Sequence, residues 1–420
     1  MTARVRSETP HVVVVGAGIV GVSTAIWLQR AGARVTIVDR EGPAAGASFG
    51  NAGVLAAASI VQIPVPGLWR KLPALLFGRD GPVFVRWGSL PRMLPFLMRY
   101  MASARNVERT ATSLSAMLHD CADQHLALAR ETPAERFVEP GDYVFAYENR
   151  AAYEKDALGW SLRRRHGHPF EEMDGGAFAR YDPVMARGFG FAVRCPEHGR
   201  ITDPGAYVRA LFEHAVSQGA RFVRAEVRGV DGARCAALTD DGEIGGDHVV
   251  VTAGVHSAAL SGGQPVIAER GYHMEFLGPS HVPRSPTMIA AAKFVLSPME
   301  GRLRAAGIVE FGPADARRSP KPFALLKRQT MRALPDLRYA ETREWMGYRP
   351  ATIDSLPFVG RLRQKENVWC GFGHQHVGLS AGPKTGRWIA DMIGGRVPNM
   401  DMAPFSPARF GKGRILGDTK

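Results

Sequence analysis

The chain predicts a mixed α/β (α+β) fold with one sheet assembled from discontinuous pieces. Three observations carry this. Val12-Val13-Val14-Val15 runs into Gly16-Ala17-Gly18-Ile19-Val20-Gly21, and a helix-like segment follows. Arg34 to Val38 then reads as a second strand, ending at Asp39 and Arg40. Far along the chain, His248–Val251 enters Thr252-Ala253-Gly254, and Val368-Trp369-Cys370 enters Gly371 to Gly378. Strands that end in glycine so far apart predict one sheet assembled from discontinuous pieces.

The chemistry of the first turn explains its spacing. The first glycine allows the tight turn out of the strand, and the second lets backbone approach a pyrophosphate. The third lets helix and strand pack closely, while the helix start offers unpaired N–H groups and a positive dipole end. Asp39 stands where a carboxylate can accept from a ribose hydroxyl. Strand, turn, helix and acid together predict a dinucleotide, and the motif leaves FAD and NAD both open.

The remaining elements follow from pattern. Ala44 to Trp69 carries no charged side chain, but its glycines, prolines, Asn51 and Gln62 interrupt any continuous apolar run, so it reads as buried loop and strand and not a membrane span. Leu68 to Arg130 reads as largely helical, with good helical spacing over Thr112 to Arg130 before Pro133. Val138 to Tyr147 alternates like a strand with a bulge signal at Gly141-Asp142. Asp203-Pro204 caps a helix over Gly205 to Ser217, and Gly219 closes it. Arg221 to Val227, Tyr272 to Leu277 and Gly307 to Phe311 read as strands. The last helix runs to about Ile393, where Gly394-Gly395 stops it. This organisation assigns 1–65, 196–262 and 345–420 to the dinucleotide-binding unit, and 66–195 and 263–344 to a substrate unit.

At 420 residues the chain should bury one large core or two. Its net charge of +13 comes from scattered arginines and lysines without a basic block, which favours a general surface property over a footprint for nucleic acid, an anionic membrane surface or an acidic ligand. Cys121, Cys195, Cys235 and Cys370 form no C-x-x-C pair, which disfavours a zinc or redox-dithiol site and suits a reducing compartment. No signal-peptide core is visible, so the expectation is cytoplasmic. Leu68 to Tyr100, apolar and basic with Trp69 and Trp87, has two readings. One is core packing in the substrate unit, which is favoured; the other is peripheral contact with the inner face of the cell membrane.

Gly371 to Gly378 is a second glycine-rich turn at a helix start, able to present N–H groups to an anion or a polarised carbonyl. Arg349, in Gly347-Tyr348-Arg349-Pro350, could clamp a carboxylate bidentately, although taken alone it reads as a surface arginine. In Gly271-Tyr272-His273 the Tyr and His could hydrogen-bond a ligand, and a buried structural Tyr fits equally. His374 and His376, two residues apart without carboxylate neighbours, suit a metal poorly, and no metal is expected.

These residues resemble the FAD-dependent D-amino-acid oxidase superfamily, which includes D-amino-acid dehydrogenases, glycine oxidase and sarcosine oxidase. The likeness spans nearly the whole chain. It rests on Val12 to Gly21 with Asp39, on Ser48-Phe49-Gly50-Asn51-Ala52-Gly53, and on Gly271-Tyr272. It continues in Gly307-Ile308-Val309-Glu310, in Trp345 to Pro350 with Asp354 and Pro357 to Gly360, and in Gly373-His374 to Gly378. The Ser48 to Gly53 string points to the bacterial D-amino-acid dehydrogenase branch, and Glu269 to His273 to the subgroup with D-hydroxyproline dehydrogenases.

The resemblance implies a Rossmann-like FAD-binding unit with a discontinuous substrate unit built on an antiparallel sheet plus helices. In the former, Gly16, Ala17, Gly18, Ile19, Val20 and Gly21 hold the pyrophosphate, with Asp39 and Arg40 at the ribose. Ser48, Asn51, Ala52 and Gly53 lie along the isoalloxazine, Val227 near the adenine and Gly254 beside the nucleotide. Gly373, His374 and Gly378 face the pyrimidine end of the flavin. Arg349 becomes the carboxylate-binding arginine, with Tyr272, His273 and Tyr348 as pocket residues. The family usually has Glu where Asp39 stands. Ala351-Thr352-Ile353 lacks the cysteine that bonds flavin in the sarcosine-oxidase branch, so FAD is expected to be non-covalent.

The implied reaction is oxidation of the Cα–N bond of a D-amino acid, D-proline or hydroxy-D-proline by hydride transfer to flavin N5. A quinone, a dye or oxygen accepts the electrons. The rival readings are a glycine- or sarcosine-type oxidase, a tRNA-modifying member of the same superfamily, and a flavin-bound subunit without turnover.

Overall fold

A computed structural model describes residues 9–78, 80–363 and 365–410. Val12 to Val15 is apolar at every position because both faces of its strand are covered. Val12 and Val14 pack toward the helices, whereas Val13 and Val15 pack toward Val230 and Ala237 of a small three-stranded sheet. A half-solvated strand would alternate instead. His11–Val15 is central in a six-stranded sheet. Its order is Phe358–Arg361, Val368–Phe372, His248–Val251, His11–Val15, Arg34–Asp39 and Arg221–Arg224, parallel except for the first strand. The discontinuous assembly expected from the glycine-ended strands is present.

Ile19–Arg30 and the last helix, Gly378–Ile393, cross tightly. A Cβ on Gly386 would lie 2.6 Å from the Thr24 nitrogen, and one on Gly382 would lie 2.8 Å from Ile19 Cγ1. Two glycines four apart therefore let these helices touch along their backbones. Their first turns consequently open side by side at the same edge of the sheet.

The second sheet has ten strands. Along its main path the order is Glu341–Thr352, Val266–Leu277, Arg302–Phe311, Phe294–Met299, Thr287–Ile289, Val138–Tyr147, Phe191–Ile201 and Val54–Leu55. It is antiparallel except where Thr287–Ile289 meets Val138–Tyr147, and Val83–Val85 adds a parallel edge piece. Glu341–Thr352 pairs with Val266–Leu277 along its whole length. Residue 345, where the sequence reading places a boundary, thus lies inside a strand of this sheet. The spacing of Trp345 to Pro350 gave no sign that the pairing begins four residues earlier.

Several local expectations hold. The Asp203 carboxylate caps Pro204–Ser217 by accepting from Ala206 N at 2.9 Å. Val138–Tyr147 carries a register shift between Gly141 and Tyr143. Other segments differ. Thr112 to Arg130 is two helices, Val107–Leu118 and Cys121–Ala129, broken at His119-Asp120. Arg221 to Val227 divides between two sheets. Among the described residues no helix is long and apolar enough to cross a membrane. Leu68 to Tyr100 is not mainly core. Trp69, Phe77, Trp87, Leu94 and Met98 are exposed, and among its described large side chains only Phe96 and Tyr100 are buried.

Candidate active site

The edge where the two glycine-rich turns open faces the ten-stranded sheet across a cavity of about 1020 Å³. At one end lie Gly16, Gly18, Ile19, Val20, Asp39, Arg40, Val227 and Gly254. At the other lie Gly373, His374, Gly378, Tyr272, Tyr348 and Arg349, and the loop of Ser48, Asn51 and Ala52 runs between them.

The three glycines of the first turn do different things. A Cβ on Gly16 would lie 2.6 Å from Thr252 O, and Gly16 has φ +112°. A Cβ on Gly21 would lie 1.9 Å from Gly16 O. Both are required by protein packing. A Cβ on Gly18 would meet only Ser48 Oγ at 3.2 Å and otherwise face the cavity. Gly18 therefore keeps its backbone open toward a ligand. Ala17, Gly21 and Gly53 lie behind the wall. Ala17 N–H donates to Asp39 Oδ2 at 2.8 Å, and Gly53 N–H to Asn51 Oδ1 at 2.8 Å. Asp39 Oδ1 accepts from Glu41 N at 2.9 Å and Gly42 N at 2.8 Å, so the carboxylate ties turn and strand end together while lining the cavity. Ser48 Oγ accepts from Ile19 N at 3.0 Å, linking the loop to the helix start. The Gly378–Ile393 helix has no side-chain cap, which leaves its positive end toward the cavity.

Arg349 shows why Gly271 lies beside it in the sheet. A Cβ on Gly271 would lie 2.8 Å from Arg349 Cζ, so the guanidinium lies against bare backbone. Arg349 Nη1 donates to Glu269 Oε1 at 2.9 Å. Glu269 is the cross-strand neighbour of Arg349 and is buried. Among the described residues no other acceptor engages the guanidinium, and its remaining N–H donors are available to a ligand carboxylate.

Tyr272 and His273 point to opposite faces, as strand neighbours must, and it is Tyr272 that turns away from Arg349, packing on Phe323 contrary to the expected pocket role. The Tyr272 hydroxyl donates to Glu310 Oε2 at 2.6 Å, within a cluster that includes the Arg270–Glu310 ion pair at 2.7 Å. Burial raises its pKa. His273 does not reach the cavity, contrary to the expected pocket role. It stacks on Trp345 with ring centroids 5.0 Å apart and bonds Gly50 O through Nδ1 at 3.1 Å. Burial, followed by the charge of Arg304, holds its pKa well below the usual value. Tyr348, next to Arg349 in its strand, turns to the opposite face, where its hydroxyl donates to Ala314 O; this is contrary to the expected pocket role. His374 is buried against Thr385 Oγ1 at 3.0 Å, and burial pushes its imidazole down to about 3.

Sequence reasoning missed two residues. Arg304, buried in the ten-stranded sheet, donates to Glu275 Oε1 through Nη2 at 2.6 Å and to Phe49 O through Nη1 at 3.0 Å. It also bonds Asn51 O, and so pins the loop along the cavity. The available signal was the alternation Arg302-Leu303-Arg304, which turns two arginines to one face of a strand. His376, set aside as half of a poor metal pair, has its side chain open to the cavity, with no hydrogen-bond partner among the described residues. Its enclosure in the cavity, then the Arg349 cation, lower its pKa from the ordinary value, so it is a neutral hydrogen-bonding group at neutral pH.

These walls fit a flavin dinucleotide: open backbone at Gly18, a carboxylate at one end, an uncapped helix start and a cationic pocket at the other. A family model described as FAD dependent oxidoreductase matches residues 11–392. The chain is 37% identical over 419 residues to a D-amino-acid oxidase of Bradyrhizobium diazoefficiens, covering 96% of this chain and 99% of that one. It is 29% identical to a D-amino acid dehydrogenase of Rhizorhabdus wittichii, covering 95% and 100%. Its fold is similar to that of glycine oxidase from Geobacillus kaustophilus, with a TM-score of 0.73 at 20% identity over 97% of this chain and 100% of that one.

Proposed function

Because this chain belongs to the family of FAD-dependent oxidoreductases, we propose that it oxidises the Cα–N bond of a D-amino or cyclic imino acid, such as a D-amino acid, D-proline or hydroxy-D-proline. The observation that carries this reading is Arg349. It is a cation on the cavity wall with one buried carboxylate partner and donors to spare. It binds the substrate carboxylate, while Glu269 and the bare backbone of Gly271 fix the plane of its guanidinium. When bound, the flavin supplies a two-electron acceptor for the hydrogen at Cα.

The protein's part is orientation. Neutral His376, beside Arg349, can accept a hydrogen bond from the substrate amine. Gly16, Gly18, Asp39, Ser48, Asn51, Ala52, Val227, Gly254, Gly373 and Gly378 hold the cofactor. None of the four cysteines lines the cavity, which supports a non-covalent flavin. The electrons then pass to a quinone, an artificial dye or oxygen.

The test is anaerobic titration of the purified yellow protein with a panel of D- and L-amino and imino acids. Bleaching of the flavin by D-proline, hydroxy-D-proline or D-alanine, and not by their L-forms, is the expected result. Bleaching by the L-forms alone would overturn the stereochemistry, and a protein without flavin would overturn the whole reading.

A further inference from the structure

Six of the nine exposed large apolar side chains among the described residues fall between Ile63 and Met98. They are ordered, not scattered. On helix Leu68–Phe77 the exposed Trp69, Pro73 and Phe77 recur every four residues. On helix Leu90–Ala102 the exposed Pro91, Leu94, Pro95 and Met98 follow three- and four-residue spacing, while Phe96 and Tyr100 turn inward. Each helix therefore presents an outward apolar stripe. Trp87 joins the two, stacked on Phe77 with centroids 5.7 Å apart and planes 4° from parallel.

Charge accompanies these stripes. From residue 63 to 107 the only acid is Asp80, against seven arginines and lysines. Arg70, Arg92 and Arg99 are exposed and form no ion pair among the described residues; Arg70 lies over the Trp69 ring at 5.1 Å. A protein partner for such a surface would need both an apolar face and a concentrated acidic one. An anionic lipid bilayer supplies both as a continuum, with acyl chains for the tryptophans and headgroups for the arginines.

We infer that Leu68–Phe77, Trp87 and Leu90–Ala102 form a docking surface for an anionic membrane. Neither helix spans the bilayer; both lie in its interface. The same segment supplies Ile63, Leu68, Leu75, Pro82 and Val83 to the cavity wall. A lipid-soluble molecule leaving the bilayer would therefore meet the cavity without crossing bulk water. Docking itself does not depend on the substrate assignment above.

The experiment is co-sedimentation of the flavin-loaded protein with phosphatidylcholine vesicles, with and without phosphatidylglycerol. Binding is expected only with phosphatidylglycerol, and is expected to weaken as salt rises. Arg70→Gln/Arg92→Gln/Arg99→Gln should lower the partition coefficient on the order of a hundredfold, at roughly 1 kcal/mol for each basic residue at an anionic surface. Trp69→Ser/Trp87→Ser/Met98→Ser should lose binding that salt removal cannot restore. Both variants should keep flavin content, melting temperature and dye-coupled turnover. No sedimentation at low salt, or unchanged binding by both variants, would overturn the proposal. So would a dimer in light scattering that the Trp69→Ser variant dissolves, because a second copy would then be the occupant.

Discussion

Arg349→Ala is the most informative perturbation of the candidate site, because, set beside a control that removes the charge of Glu269, it separates binding from folding. The arginine holds Glu269 Oε1 at 2.9 Å, and Glu269 is 1% exposed. Removing one partner of a buried, hydrogen-bonded charge pair costs about 2–5 kcal/mol in ligand binding. For a carboxylate substrate that is a loss of roughly thirtyfold to a few thousandfold in kcat/KM, carried mainly by KM. The same change strands a buried carboxylate, at about 3–5 kcal/mol of stability. Arg349 keeps 22% side-chain exposure, so water relieves part of this and the lower end is expected. The control is Arg349→Met/Glu269→Gln. It leaves no buried charge and should recover most of the melting temperature but none of the kcat/KM. Steady-state kinetics with an acceptor dye and thermal melts of both variants read the two effects. Unchanged KM in Arg349→Ala, or recovery of kcat/KM in the double variant, would refute the reasoning.

Gly18→Val should lose flavin absorbance while keeping most of its fold, since a side chain there faces the cavity. Gly21→Ala should lose the fold itself, because its Cβ would lie 1.9 Å from Gly16 O; circular dichroism and flavin content distinguish them. Arg304→Met should release the Phe49–Asn51 loop and weaken flavin affinity about tenfold or more, for lost charged hydrogen bonds of about 1.5–3 kcal/mol, as read by flavin fluorescence on dilution. Stability should also fall on acidification. Burial lowers His125, His168 and His198 to about 4 and His374 to about 3, from an ordinary 6.5. From pH 6.5 down toward 4 the unfolded chain binds protons that the folded chain refuses. Stability is therefore complete above 6.5 and is lost on the order of 1 kcal/mol per histidine per pH unit below it. A melting temperature flat from pH 7 to 5 would contradict this.

The sequence by itself determined the dinucleotide turn. Its signal is local: four valines, three glycines and an acid at fixed spacing, each demanded by short-range sterics and the helix dipole. It likewise determined the Asp203 cap and the glycine stop after Ile393, which are settled within one turn of helix. Arg349 stood out only through a family pattern, because nothing near it in the chain distinguishes a clamp from a surface arginine. What makes it a clamp is the register that sets Glu269 and Gly271 beside it from another strand, and only tertiary structure fixes register. Pleat decided the neighbours in the same way: Tyr272 and Tyr348 turn away from the Arg349 face, while His273, on that face, is taken up by stacking on Trp345. The segment from Leu68 to Tyr100 shows the remaining limit. The sequence marked it as largely helical, apolar and basic, but whether its apolar side chains face core or water depends on what the rest of the chain brings to cover them. Here much of it is left bare.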